Sequence, residues 1–126
     1  MSDDKIILIT SRLGYIGSHT VVELYNKDYL KENKMKSNYD VVIVDDCSTC
    51  SEKVLTILEN MIGKKIPFYK ISIINKKDLE EPFKKHKIYA VILFAGKKAV
   101  GESVVNPLLY YENNFVGTLN LIELCL

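Results

Sequence analysis

Two places in the chain have residue types and spacing suited to holding a phosphorylated nucleotide. The first is Thr10-Ser11-Arg12-Leu13-Gly14-Tyr15-Ile16-Gly17, a glycine-containing turn between a β-branched apolar run and a helical period. A turn of this kind points the N–H groups of a helix start at a pyrophosphate, and the helix dipole favours the negative charge. Glycine suits it because a residue without Cβ turns tightly and lets a ligand approach the backbone. The second is Asp45, which closes the apolar run Asp40–Asp45. A carboxylate at the end of a second strand accepts the hydroxyls of an adenosine ribose and repels a 2′-phosphate, so the pair points to NAD over NADP. The customary interval between the two features is about 20 residues. Here it is longer, and the polar, lysine-rich Asn26–Asn38 reads as the exposed insertion that accounts for the excess.

The other reactive residue types read as bland. Cys47-x-x-Cys50 has the spacing of half a zinc site, but a zinc centre takes four ligands and the one further cysteine is Cys125. The pair is therefore read as incidental, and no metal is expected. His19 and His86 read as packing or surface residues. Tyr110, Tyr111 and Phe115 read as core and helix-packing residues, not a platform for bases. Lys84, Lys85 and Lys87 read as a solvated helix end.

The elements that must position the two features follow from periodicity. Lys5–Thr10, Asp40–Asp45, Ile66–Ile71 and Tyr89–Ala95 are short apolar runs of the kind that form buried strands. Between them lie helical periods: Ile16, Thr20, Val21 and Leu24 to about Tyr25; Val54 to Ile62 with Ser51 as cap and Gly63 as stop; and Asp78–His86 with Asp78 as cap. A last helix opens at Pro107 and carries Leu108, Tyr111, Phe115, Leu119, Ile122 and Leu126 as a loose stripe. The order βαβαβαβα predicts an α/β fold, a Rossmann-type doubly wound parallel sheet of about four strands with flanking helices.

Composition sets the bounds. The chain has 126 residues, suited to one domain, with 48% hydrophobic and 26% charged residues. A formal net charge of +1 gives no reason to expect nucleic acid or an anionic membrane. No apolar run approaches the ~20 residues of a membrane span, and Met1 to Lys5 has no secretory pattern. Three cysteines do not read as a disulfide framework, which points to the reducing cytoplasm. The chain stops on Leu124-Cys125-Leu126, inside an apolar stripe, and is expected to be the front part of a longer domain.

Longer stretches carry a specific resemblance. Gly14-Tyr15-Ile16-Gly17-Ser18-His19-Thr20, Val44-Asp45-Asp46, Gly63-Lys64-Lys65-Ile66-Pro67-Phe68-Tyr69, Phe94-Ala95-Gly96-Lys97-Lys98-Ala99-Val100-Gly101-Glu102-Ser103 and Asn106 to Leu121 resemble the front part of extended short-chain dehydrogenase/reductases of the UDP-glucose 4-epimerase family. The resemblance implies a hydride taken from C4 of a UDP-hexose by bound NAD and returned to the opposite face. It implies that Gly14, Tyr15, Ile16 and Gly17 line the pyrophosphate. Asp45 would hold the adenosine ribose with Asp46 beside it, and Ile73 would flank the adenine. Phe94, Ala95 and Gly96 would lie along the cofactor, Lys98 would reach the nicotinamide ribose, and Asn113 would contact the cofactor from the last helix. For an intact homologue it also implies a UDP-hexose partner and a homodimer.

The departures are Ser11 where the family has its first loop glycine, Ser72 where it has an aspartate for the adenine, and Leu93 where it has a histidine. None of the eight tyrosines has a lysine four residues on, so the family's catalytic Tyr-x-x-x-Lys is missing and the chain alone is expected to be inactive. Two other readings compete: a non-catalytic remnant with weak nucleotide or partner binding, and another NAD-dependent sugar-nucleotide dehydratase or decarboxylase. The block Ala95 to Ser103 argues against the last.

Overall fold

The structure is a computed structural model that describes residues 5–10, 15–25, 39–47, 53–94 and 104–126, with the side chains of Tyr15, Ile16 and Asn113 left aside. The strands are β1 (Lys5–Thr10), β2 (Tyr39–Val44), β3 (Phe68–Tyr69) and β4 (Ile88–Leu93). The helices are α1 (Tyr15–Leu24), α2 (Lys53–Ile62), α3 (Lys76–Lys85), α4 (Pro107–Tyr111) and α5 (Gly117–Cys125), the last two joined by a π-helical stretch, Glu112–Val116.

All pairings in the sheet are parallel, and the spatial order is β3-β2-β1-β4. The β-branched runs explain the strands, because such side chains fit a pleated surface buried on both faces. Successive residues alternate between two core layers. Ile7, Ile9, Val41 and Ile43 face Val21 of α1 and Leu58 of α2. Leu8, Val42 and Val44 face Leu79 of α3 and Leu121 of α5. Burying each such side chain stabilises the fold by about 1.5–3 kcal/mol. With helices on both faces the doubly wound expectation holds. The chain steps outward from β1 to β2 to β3, then returns to place β4 on the other side of β1. The order therefore reverses between β1 and β4.

Several boundaries differ from the sequence reading. β3 is two residues long, where Ile66–Ile71 was expected. Ile66 is buried beneath α2, and its N–H donates to Glu59 Oε2 at 2.9 Å instead of joining the sheet. The cap of α3 is Asn75, whose side chain accepts from the Asp78 N–H at 3.2 Å; Asp78 lies in the first turn. Pro82 is therefore well inside the ten-residue helix and buried there. Gly63 ends α2 with φ +71°, as expected of a helix stop. Ser51, Cys50 and the insertion Asn26–Asn38 lie outside the described residues.

The last helix is the largest correction. It is not one α-helix, since the Gly117 N–H reaches back five residues to the Glu112 carbonyl. A π turn takes one residue more than an α turn, so the 3.6-residue stripe loses its register there. Leu108, Tyr111, Phe115, Leu119 and Ile122 are exposed, and Gly117, Asn120 and Leu121 are buried instead. Tyr111 and Phe115 stack on each other, ring centroids 5.1 Å apart, not on the core.

Candidate nucleotide crevice

In an open parallel sheet, ligands bind outside the carboxyl ends of the strands, at the point where the order reverses. Of the described candidates, Tyr15, Ile16 and Gly17 come after β1, Asp45 and Asp46 after β2, and Phe94 after β4, each past the carboxyl end of its strand. β1 ends at Thr10, which is fully buried, and α1 starts at Tyr15. Tyr15, Ile16 and Gly17 form the first turn of α1, and Gly17 is buried. That turn holds no acidic residue to compete with an anion for the helix dipole. Ser18, also in the first turn, has a buried hydroxyl oxygen with no hydrogen-bond partner among the described residues. Gly14, with Ser11, Arg12 and Leu13, lies outside the described residues.

Asp45 follows the last residue of β2 and is 2% exposed. A buried carboxylate must be supplied with donors. Cys47 provides one, its N–H donating to Asp45 Oδ1 at 2.8 Å. Closing that short loop puts Cys47 at φ +58°, the only non-glycine residue with positive φ among those described. Such a conformation costs about 1–2 kcal/mol and concentrates at functional sites. The Asp45 N–H donates to the Tyr69 carbonyl at 3.1 Å, which ties the acid to the edge of β3. Asp46 is half-buried beside it.

At the reversal point the Phe94 N–H donates to the Thr10 carbonyl at 2.7 Å, continuing the β1–β4 pairing beyond the strand. Phe94 is half-buried and packs on the α1–α2 layer. Ala95, Gly96, Lys97 and Lys98 lie outside the described residues. Ile73, past β3, is buried against Leu79 and Leu121. Asn113 stands in the π-helical stretch, an element that recurs at functional sites. Gly117 and Asn120, which meet Ile73, were not singled out from the sequence, and Cys47, with its positive φ, was read there only as half of an incidental Cys-x-x-Cys pair. A glycine inside a helical pattern was the available signal at Gly117; nothing local marks the other two.

Among the described residues no group of three or more His, Cys, Asp or Glu is placed to hold a metal ion. His86 Nε2 lies 2.9 Å from the Tyr69 hydroxyl, which occupies it structurally.

Residues 8–126 match the GDP-mannose 4,6 dehydratase family. The chain belongs to that family. Among its members it is 45% identical over 122 residues to a UDP-glucose 4-epimerase of Dictyostelium discoideum, covering 97% of this chain and 32% of that protein. It is 44% identical over 126 residues to the bifunctional protein GAL10 of Candida maltosa, covering 99% of this chain and 75% of that protein. The fold superposes on the UDP-glucose 4-epimerase of Bifidobacterium longum, solved in complex with NAD+ and UDP, with a TM-score of 0.83 and 37% identity. That match covers 95% of this chain and 33% of the other. The chain thus spans only 16 to 32% of the length of several of the curated relatives it matches, and corresponds to their N-terminal part. No helix among the described residues is long and apolar enough to cross a membrane.

Proposed function

We propose that the chain is the cofactor-binding front part of a UDP-glucose 4-epimerase and binds NAD along the carboxyl edge of its sheet. The observation that carries this reading is Asp45: a buried carboxylate, oriented by the Cys47 N–H, next to the reversal point of a parallel sheet. The donor and acceptor set fits the group. Gly14, Tyr15, Ile16 and Gly17, the last three in the first turn of α1, hold the pyrophosphate with main-chain N–H groups. Asp45, with Asp46 beside it, accepts the adenosine ribose hydroxyls and disfavours a 2′-phosphate. Ile73 flanks the adenine, Phe94, Ala95 and Gly96 border the nicotinamide side, Lys98 reaches its ribose, and Asn113 contacts the cofactor from the helix side. When bound, NAD supplies the redox chemistry at C4 of a UDP-hexose, and the chain orients it.

The complete reaction needs the Tyr-x-x-x-Lys pair, so the 126-residue chain by itself is inactive. An intact homologue takes UDP-hexose and pairs as a homodimer, for which the exposed stripe of α4 and α5 offers an apolar surface. The odd count of three cysteines, which does not read as a disulfide framework, supports a cytoplasmic setting.

Calorimetric titration of the purified chain tests the reading. NAD is expected to bind more tightly than NADP. Asp45→Asn is expected to weaken NAD by roughly 10–100-fold, the loss of a charge-assisted contact, and to erase the preference. A coupled assay on the same sample is expected to show no conversion of UDP-galactose. Tighter NADP binding, or turnover, overturns it.

A further inference from the structure

Two buried features of α5 converge on one short segment far away in sequence. Asn120, 8% exposed, donates its Nδ2–H to the Ile73 carbonyl at 2.9 Å. Three residues earlier on the same helix, a Cβ at Gly117 would overlap Cδ1 and Cγ1 of Ile73. Only glycine lets the helix close this far. From the other side, the Asn75 N–H donates to the Ser72 carbonyl at 3.0 Å as α3 begins. The Ser72–Ile73 main chain is therefore held between α3 and α5. An ion pair between Lys76 and Glu123 fastens the same two helices at the surface.

The position of that segment gives the clamp a meaning. It follows β3, the outermost strand, whose Tyr69 carbonyl accepts the Asp45 N–H. In the proposed pose the pyrophosphate lies by β1 and the ribose on Asp45 after β2, so the base continues the same way, toward β3, the next strand outward. A purine there needs a fixed apolar wall and main-chain polar groups at its rim. Packing alone does not call for an amide, because the core layer to which Leu121 of the same helix belongs is apolar. A buried amide is costly unless it bonds, and what this one does is fix a main-chain carbonyl.

We infer that Asn120 and Gly117 are positioning residues for the adenine side of the crevice, holding the Ser72–Ile73 main chain where the purine of an adenine nucleotide rests. This depends on the NAD-binding reading and goes beyond it by naming the residues that keep the base wall in place. Neither touches the ligand; both act through Ile73.

The test compares ADP with inorganic pyrophosphate, titrated into the purified chain. Asn120→Asp keeps the shape and replaces the donor by an acceptor facing the Ile73 carbonyl. ADP is expected to bind on the order of tenfold more weakly, with pyrophosphate unchanged. A buried carboxyl titrates high and donates when protonated, so the variant-to-parent ratio for ADP should narrow as pH falls from ~8 to ~5.5. Leu58→Ala, in the opposite core layer, should lower the melting temperature and leave ADP affinity unchanged. Should Asn120→Asp fail to fold, Asn120→Gln, which displaces the amide by one methylene, should weaken ADP but not pyrophosphate. Equal affinity of variant and parent for ADP, equal losses for ADP and pyrophosphate, or an equal loss in Leu58→Ala overturns the inference and leaves NAD binding intact. A parent chain that binds neither NAD nor ADP removes both readings together.

Discussion

At Asp40 one carboxylate collects three partners, two of them distant in sequence. The Tyr25 hydroxyl donates to Oδ1 at 2.6 Å, the Val41 N–H donates to the same oxygen at 3.1 Å, and Lys64 Nζ stands 3.1 Å from Oδ2. The cluster joins the end of α1, the start of β2 and the turn after α2. Burial would raise the Asp40 pKa, but the Tyr25 hydroxyl, Lys64 and the Val41 N–H outweigh it and hold the group below its ordinary value. Burial first, then the Asp40 carboxylate, push the Tyr25 phenol well above its own. The signs are opposite. A depressed carboxyl contributes stability above its unfolded pKa of ~4, lost as pH falls through the folded value; a raised phenol contributes below ~10, lost as pH rises beyond that. Denaturant midpoints should therefore form a plateau that falls away at both ends. Asp40→Asn should lower the plateau by about 1 kcal/mol, trimmed by solvent screening of the half-open Lys64 contact, and should flatten the acid limb. An unchanged acid limb would assign it to other carboxylates. Sequence reading did not find this cluster because its members belong to three elements, with the insertion Asn26–Asn38 lying between the first two. Asp45 was legible, because its place at a strand end is itself a local signal.

Helix ends and helix register show how far local signals reach. Asn75 and Asp78 are both good capping types, three residues apart, and they bond reciprocally: Asn75 Oδ1 accepts the Asp78 N–H and Asn75 Nδ2 donates to Asp78 Oδ2 at 2.8 Å. Asp78 is the cap expected from the sequence. The structure uses Asn75 and accepts a proline in the helix interior, where burial of the ring offsets the missing N–H. Asn75→Ala should cost about 1 kcal/mol, while Asp78→Ala removes only a side-chain contact and a first-turn charge and should cost roughly 0.3–1 kcal/mol. Urea denaturation of the two variants checks the order; the reverse order would restore Asp78 as the cap. The π turn before Gly117 was illegible for a different reason. Nothing in the types of Glu112 to Val116 announces it; it runs directly into Gly117, which seats closely on Ile73.

On the scale of the whole molecule, strands β1 and β2 were legible because each is an apolar run long enough to be buried on both faces, and the parallel order followed from the helices between them. What the sequence did not reveal is which apolar residues stay outside. Leu108, Tyr111, Phe115, Leu119 and Ile122 are 76%, 59%, 55%, 42% and 53% exposed along α4, the π stretch and α5. The sheet also has an open edge at β4, where Tyr89 and Leu93 are exposed. Both features promote association, the helices through apolar area and the edge through unpaired main-chain groups. The helical stripe should dominate. It is longer, and its Tyr111–Phe115 stack offers the large aromatic area that carries most contact energy at interfaces. Sedimentation velocity of the 126-residue chain should show concentration-dependent association. Tyr111→Lys with Phe115→Glu should shift it toward the monomer. The melting temperature should change little, since both rings are exposed and contact each other. Leu93→Lys, at the strand edge, should have the smaller effect. If Leu93→Lys alone gives the monomer, association runs through the sheet edge, and the stripe does not serve as the contact between copies.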